Sequence, residues 1–548
     1  MKISADDQSR AAFEYGLHIL FDPLESDRDT AGETVGGHLR DSDADEVDIE
    51  SVSKKARMLT LFALLHYGNI SEQLFQVYYE LCAPVKASEW MELFIGNSGN
   101  WNSYMFEDFL AELRKLSLVQ DFARESDDSC HFSLHPLVSD CIKLRTDGQI
   151  LQECILQVIM IVKNFLDTCY DGRGHFDLSL QAKQEVLLHM NACEENIREF
   201  LGSGNESQLG TGQLDCARER FASLYCSVGQ YHKARDLYER VFENREKHLG
   251  PNHPSVLSSL AQLAVAFERQ GKYETAEGMD RRVLAGREKM LGKEHPDTLT
   301  SVSNLAWTLE SQGKYEAAEE MNRRALAGRE KMLGKEHPDT LTSVSNLAWI
   351  LERQGKYMAA EEMDRRALAG REKVLEKEHP DTLTSISNLA WVLQRQGEYK
   401  LAEKMDRQAL AGREKVLGKE HPTTLMSVHN LGCSLLGRGK YKEAVEMNRR
   451  ALQGWEKVLG NEHPHTLLSV DNFGAMFERQ GKYEAAEEMY RRALAGREKV
   501  LGKEHPDTLT SAHNLAHALK RQASTRSVNN LDVVFEKYGK YGAVAQLQ

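Results

Sequence analysis

Seven histidines stand directly before a proline, His253, His295, His337, His379, His421, His463 and His505, each 42 residues after the last. Imidazole binds metals and moves protons near neutral pH, so a repeated histidine invites both readings. The ligands of one metal must converge to about 2 Å from it. Histidines on successive loops, about two helix diameters apart, do not meet that demand. Proline has a fixed φ and lacks an N–H, which suits the first turn of a helix. Each His-Pro therefore reads as a helix start and not as a ligand set.

Other side chains with chemical capacity keep the same beat. Asn304, Asn346, Asn388, Asn430, Asn472 and Asn514 recur at 42 residues, and Trp307, Trp349 and Trp391 stand three residues further along. A carboxamide offers donor and acceptor together, as a peptide backbone does. An indole is large and stiff with a single N–H, the profile of an interface anchor. The arginine pairs at 281-282, 323-324, 365-366, 449-450 and 491-492 lie beside acids of the Glu319-Glu320 type. Intrahelical pairing four residues apart on a wet outer face accounts for them better than an acid-binding role. Nine cysteines, at 82, 130, 141, 154, 169, 193, 216, 226 and 433, include no Cys-x-x-Cys and read as reduced, mostly buried thiols.

Catalytic constellations are missing from the pattern. No Ser-His-Asp, Cys-His or paired-carboxylate set can be defended, and every Gly-Lys is followed by Tyr or Glu, so no phosphate loop of the Gly-x-x-x-x-Gly-Lys-Ser/Thr type occurs. The expectation is a binding protein, not an enzyme, with no cofactor and no metal.

The elements that position these residues follow from their punctuation. After Pro296, Leu299, Val302, Leu305, Ala306 and Leu309 recur at steps of three and four, the spacing of one buried helical stripe. Gly313 ends that helix in the left-handed conformation glycine adopts freely. Tyr315 opens a second run through Ala318, Met321, Ala325, Leu326, Met332 and Leu333 to Gly334. The unit is two antiparallel helices of about four to five turns each. Such a pair cannot bury its faces alone, so copies must stack into a solenoid. The Gly-x-Tyr corner extends from Gly229-Tyr231 to Gly481-Tyr483, with Thr211-Gly212 replacing His-Pro in a degenerate first unit and Ala523-Ser524-Thr525 replacing the last corner. The copies 295–336 and 337–378 differ at six positions, which points to recent duplication, so identity within the array does not mark function.

The run Asn304-Leu305-Ala306, then Gly313-Lys314-Tyr315-Glu316-Ala317-Ala318-Glu319, then Arg324-Ala325-Leu326 resembles the tetratricopeptide repeat in the 42-residue form of kinesin light chains and many fungal receptor-like proteins. The resemblance implies an all-α fold, a right-handed superhelix whose first helices line a concave groove for an extended peptide. It would place Asn304, Asn346, Asn388, Asn430, Asn472 and Asn514 on that face, with Trp307, Trp349 and Trp391 as an apolar ladder. The alternative is that the tryptophans pack between units and the asparagines bond neighbouring helices. The chain departs from the family four residues after the Ala318-type alanine, where Tyr238 and Tyr490 flank Asp280, Asn322, Asp364, Asp406 and Asn448. Either the middle units are less tightly keyed there, or that surface faces water.

Before the array, Lys55–His66, Ser71–Cys82 and Met105–Leu116 read as helices, followed by apolar runs 118–122 and 131–134 around Asp127-Asp128. Three helices and a hairpin suggest a winged helix. Its third helix sets Arg114 and Lys115 against Glu107, Asp108 and Glu112, and the chain carries a net charge of −14, so nucleic acid is not an expected partner. Residues 109–119 and Phe132-Ser133-Leu134-His135-Pro136-Leu137-Val138 resemble the winged helix after the nucleotide-binding domain of fungal NOD-like receptors. The resemblance makes His135 the counterpart of a nucleotide-contacting histidine, with Pro136 where that family has aspartate. Without a phosphate loop, a structural role is the better reading of His135. Residues 187–193 look like the helical connector that family places before its repeats.

The expected organisation is an acidic, largely disordered segment 1–52, a winged-helix-like domain 53–146, a helical connector and linker 147–210, an array of about eight units over 211–522, and an irregular tail 523–548. The first 50 residues hold fourteen acids and four bases. No apolar leader follows Met1, and the longest apolar stretch, Cys154 to Val162, is too short to span a bilayer, so a cytoplasmic protein without membrane partner is expected. The favoured function is a scaffold holding a protein or peptide in the groove, the sensor or adaptor part of a NOD-like signalling protein lacking its nucleotide-binding domain. A kinesin light chain carrying cargo is the alternative, though residues 1–200 show no run of heptads for heavy-chain pairing. An NTPase receptor ranks below both.

Overall fold

A computed structural model describes residues 49–82, 88–124, 129–172, 175–201 and 211–526. Nearly all of the expected acidic segment, and all of the tail beyond Arg526, lie outside these residues. The chain divides into two compact units between Leu224 and Tyr225.

In the first unit, α1 (Ile49–Leu64), β1 (Ile70–Ser71), α2 (Glu72–Cys82), α3 (Ser103–Lys115), β2 (Val119–Arg124) and β3 (Cys130–Leu134) follow in that order. The strands form an antiparallel sheet ordered β1-β3-β2, with Ile70 opposite Phe132 and Phe122 opposite Phe132 on the other side. Phe62 of α1 is the centre of the core, its ring 4.5 Å from Phe132 and 5.2 Å from Phe75. A 3-10 turn, Glu89–Phe94, inserts Trp90 and Phe94 with no exposed surface, a contribution the apolar periodicity did not announce.

Three further helices follow in this unit, α4 (Pro136–Arg145), α5 (Gly148–Cys169) and α6 (Leu180–Asn196). Here the sequence reading needs correction: α5 runs to 22 residues, and by length and composition alone it could cross a membrane. It is amphipathic in practice, because 56% of its most apolar window is buried inside the unit, where it packs on α1 and α2. His135 is the N-cap of α4: its Nδ1 accepts from the Leu137 N–H at 3.2 Å.

The second unit is a stack of helix pairs. After α7 (Thr211–Ser227), which crosses the boundary with only its last residues in this unit, and α8 (Tyr231–Leu249), first helices begin at each His-Pro: α9 (Pro254–Arg269), α11 (Pro296–Ser311), α13 (Pro338–Arg353), α15 (Pro380–Arg395), α17 (Pro422–Gly437), α19 (Pro464–Arg479) and α21 (Pro506–Arg526). Between them stand the second helices α10 (Tyr273–Leu291), α12 (Tyr315–Leu333), α14 (Tyr357–Val374), α16 (Tyr399–Leu417), α18 (Tyr441–Leu459) and α20 (Tyr483–Val500).

Both halves of the punctuation have physical causes. Pro296 takes the first helical position, and His295 caps it with Nδ1 accepting from the Asp297 N–H at 3.2 Å. At the other end Gly313 has φ +76, the Lys314 N–H reaches back to the Leu309 carbonyl at 2.9 Å, and the Gly313 N–H to that of Glu310 at 2.8 Å. That pair of bonds is a Schellman ending, which only a residue free to take positive φ can close. Met332, read as part of the apolar run of α12, is instead exposed.

Two readings of the array change. Asp280, Asn322, Asp364, Asp406 and Asn448, possible water-facing positions, are all at most 4% exposed. Asp280 and Asp406 reach from second helices to the first helix of the next unit, whereas Asn448 bonds back to His429 in the first helix of its own unit. The arginine pairs also divide their work. Arg281, Arg323, Arg365 and Arg491 pair with a glutamate four residues back, as expected. Their neighbours Arg282, Arg324, Arg366, Arg450 and Arg492 instead reach the preceding unit, to Glu246, Glu288, Glu330, Glu414 and Glu456.

First helices of successive units touch one another, α13 with α15, α15 with α17 and α19 with α21, more closely than second helices do. The array therefore curves with its first helices inside. The curve comes back on itself: the Gly229 corner lies against Pro464 and the Gly271 corner against Pro506, each so close that an added Cβ would stand 2.7 Å from the proline Cδ.

Candidate peptide-binding groove

On α11 the apolar stripe is turned to the second helices, which leaves Thr300 and Trp307 exposed and Ser303 and Asn304 half-buried along the opposite edge. The positions repeat at Thr342, Asn346 and Trp349, and at Thr384, Asn388 and Trp391, with the side chains again reaching the surface. Because first helices lie inside the curve, these edges together floor a groove.

The groove deepens in the middle of the array. A cavity of about 440 Å³ is lined by Trp349, Asn388, Trp391, Asn430 and Asn472, with Met426 and Leu468 extending its apolar wall, among other residues. Five of the nine residues expected on the groove face are thus brought to one cavity. Asn304, Asn346, Asn514 and Trp307 do not line it.

The asparagines divide into two groups. Among the described residues, the amides of Asn304, Asn346, Asn388 and Asn430 have no side-chain hydrogen bond within the protein, and they are free to meet a ligand. Asn472 is 3.2 Å from the His429 Nε2 of the preceding unit, so at that position inter-helix bonding holds. His429 in turn meets Asn448 Oδ1 at 2.8 Å through Nδ1, which orients the imidazole in the cavity wall. Trp307 combines both expected roles: its N–H donates to Glu268 of the preceding unit at 2.6 Å, while 45% of the residue stays exposed.

Acids lie under this floor. Asp280 accepts from Thr308 at 2.7 Å and Asp406 from Ser434 at 2.6 Å, in both cases 28 residues on, in the next first helix. Burial pushes Asp280 up to about 6 and Asp406 up to about 7, against the pull of those hydroxyls. Asp364 occupies the same place in α14, but Val392 stands where a hydroxyl would, and its buried Oδ1 has no hydrogen-bond partner. Burial pushes it up to about 7, with Arg371 pulling the other way. Asn322 faces Ile350 and is orphaned in the same manner. The sequence held this signal, in the pairing of position 280 with 308 and its repeats.

Arginines brace the floor from the far side. Arg371 donates to Ser345 at 3.3 Å and to Ser385 at 2.5 Å, and Arg413 makes the equivalent bond to Ser387 at 3.1 Å. Glu352, 3% exposed and at the cavity edge, accepts from the Arg395 Nε at 2.8 Å. Among the described residues no group of three or more His, Cys, Asp or Glu side chains could hold a metal ion. All nine cysteines are free thiols; three are buried, five half-buried and Cys216 is exposed, a wider spread than the expected burial.

Models of the tetratricopeptide repeat match residues 213–289, 339–415, 392–457, 429–499 and 466–527, and a second model of that repeat matches 298–339. The chain is a tetratricopeptide-repeat protein. Its solved structural neighbours include a putative kinesin light chain from Podosopora anserina with nearly identical TPR-like repeats, at 31% identity over 37% of this chain and 95% of that one, TM-score 0.33. BtubC (BKLC) from P. vanneervenii is 24% identical over 43% of this chain and 93% of its own, TM-score 0.34. A signal transduction ATPase with numerous domains from Pyrococcus horikoshii, which carries a tetratricopeptide-repeat sensor, covers 93% of this chain and 67% of its own at 12% identity, TM-score 0.41. No curated protein matches the chain. Tetratricopeptide repeats generally bind protein or peptide partners, and the family models that match describe no catalytic family.

Proposed function

We propose that this protein is a non-enzymatic scaffold which holds an extended segment of a partner protein along the first helices of its array. The observation that carries the reading is the central cavity, where the unpaired amides of Asn388 and Asn430 stand beside the indoles of Trp349 and Trp391. Amides present what a peptide backbone needs, and indoles supply stiff apolar anchors. In the same cavity the Ser345 and Ser387 hydroxyls accept from Arg371 and Arg413, and His429 is held between Asn448 and Asn472. These hydroxyls and the imidazole are bonded to other groups rather than to one another, and binding is the chemistry the cavity favours.

The finer reading is a sensor or adaptor part of a NOD-like signalling protein, cytoplasmic, with a winged-helix module at residues 53–146 and a helical connector after it. Its support is the order helix, strand, helix, helix, strand, strand with sheet order β1-β3-β2, and the likeness of residues 132–138 to that family's segment. Nine free thiols suit a reducing compartment. His135 acts as a helix cap in this reading, the same job its sevenfold relatives perform. No phosphate loop occurs in the 548 residues, so the switch would not reside in them.

Selection of random decapeptides displayed on phage against the full chain tests the groove. Enriched peptides should bind the Asn388→Ala, Asn430→Ala double variant at least tenfold more weakly, with helical circular dichroism unchanged. Peptides that bind wild type and double variant equally would remove the groove from the account.

A further inference from the structure

We propose that the central cavity receives a basic side chain, lysine or arginine, from the bound segment, with the Asp364 carboxylate as its counter-ion and Trp349 and Trp391 as its walls. This rests on the groove reading above and assigns the chemistry of its ligand.

The repeat supplies its own controls. At Asp280 and Asp406 the buried carboxylate is satisfied by a hydroxyl in the next first helix, Thr308 or Ser434. At Asp364 the corresponding residue is Val392, and a carboxylate 2% exposed is left with an unpartnered oxygen in a residue that lines a cavity. Buried polar atoms are nearly always paired, so an orphan of this kind beside open space marks a place for a donor from outside the protein. Arg371 does not fill the role, because its guanidinium is spent on Ser345, Ser385 and Thr342.

The remaining walls select the sign of the ligand. Trp349 and Trp391 flank the cavity, and indole is the best aromatic partner for a cation. Glu352 stands at the edge, and the chain as a whole carries −14. An acidic side chain would meet Asp364 and Glu352 at close range in a poorly solvated place, where like charges repel most. The Trp391 Nε1 is the second unpartnered buried atom of the cavity lining. It is a donor, and the carbonyl of an extended main chain can accept from it. A basic residue in a peptide brings both complements at once: a cationic donor for Asp364 and a carbonyl acceptor for Trp391.

The decapeptide selection on the full chain tests this when read by composition. Lysine or arginine should dominate one position of the enriched peptides, and replacing that residue with glutamine should weaken binding at least tenfold. The Asp364→Asn variant should lose the same factor for the parent peptide and show little further loss for the glutamine peptide. This variant is expected to fold, since Asn322 already occupies the equivalent buried position opposite Ile350. Enriched peptides that depend on Asn388 but show no basic position, or that bind the Asp364→Asn variant unchanged, would overturn the inference and leave the groove standing. Peptides indifferent to Asn388 and Asn430 would overturn the groove itself, and the inference with it.

Discussion

The Nε2 of His463 lies 3.2 Å from the carbonyl oxygen of Ser227, 236 residues earlier in the chain. Its Nδ1 accepts the cap bond from the His465 N–H at 3.2 Å, so the ring must carry its proton on Nε2 and donate it to Ser227. One imidazole thus starts a helix and fastens one turn of the solenoid to the next. His463 and His505, 7% and 8% exposed, are the two repeat histidines buried in this way. Of the others, His253 is exposed and His295, His337, His379 and His421 are half-buried.

The fastening makes two glycines unlike their copies. Gly271 and Gly355 share a positive φ, at +73 and +76, but only Gly271 abuts a proline. Alanine at 355 should cost about 1–2 kcal/mol for the left-handed backbone. Alanine at 271 should cost about 1–3 kcal/mol more from the contact with Pro506. Hydrogen exchange measured by mass spectrometry should show residues 501–510 opening in the Gly271→Ala variant and unchanged in Gly355→Ala. Equal effects of the two on that segment would mean that the turns do not touch.

Acid should loosen the same contact. Burial lowers the His505 pKa, with Arg497 adding to it and Asp507 and the Arg269 carbonyl opposing. A histidine depressed in the folded state binds more protons unfolded, so its contribution is complete above about 6.5, the ordinary value, and falls as pH drops through the folded one. Limited proteolysis between pH 7.5 and 5.5 should cut near residue 505 only at the acid end. His505→Asn keeps a cap but cannot titrate, and its cleavage should not depend on pH. If that variant and wild type share one pH profile, His505 is not the responsible group.

The half-buried caps can be weighed alone. His337 caps α13 through the Asp339 N–H, and alanine there should cost about 0.5–2 kcal/mol, as loss of other caps does. Asparagine, which also accepts through its side chain, should restore most of it. Urea denaturation of the three proteins, with exchange at residues 338–341 as the local readout, checks both statements. An asparagine variant no better than alanine would deny the histidine its capping role.

Ligand affinity should carry a proton signature. Asp364, pushed up to about 7 by burial, must ionise to hold a cation, so a basic peptide should bind more tightly as pH rises from 6 to 8. Arg371 on its own helix bonds to Ser345 and Arg395 to Glu352 in the cavity lining, and His429 lines the cavity as well. Comparison with Asp364→Asn isolates the carboxylate: its profile should be flat where that of wild type rises. Parallel profiles would assign the proton elsewhere.

Much of the array was readable because its rules are local. Pro296 sets a helix start and Gly313 an end by their own backbone limits, and Pro296–Ser311 and Tyr315–Leu333 follow directly. The histidine cap was within reach, since the residue before an N1 proline is the capping position, but imidazole is not among the usual caps. The Ser227 contact with His463 was out of reach, because it depends on small rotations summed over the intervening units. The orphan at Asp364 sat between: its burial and its missing hydroxyl are relations of position 364 to 392, visible only once the stacking register is known. In the first unit, the length of α5 was hidden by polar residues: Gln152 and Glu153, half-buried and exposed, and Gln157, whose amide donates to Ser88.

The central claim is that the groove of first helices is where a partner segment lies. Hydroxyl-radical footprinting of the full chain, with and without a selected decapeptide, reads it directly through oxidation of tryptophan and methionine. Trp349, Trp391 and Met426 should be protected by the peptide, while Met358 and Met332, exposed on second helices, keep their rates. Protection of Met358 or Met332 with Trp349 and Trp391 unchanged would contradict the account.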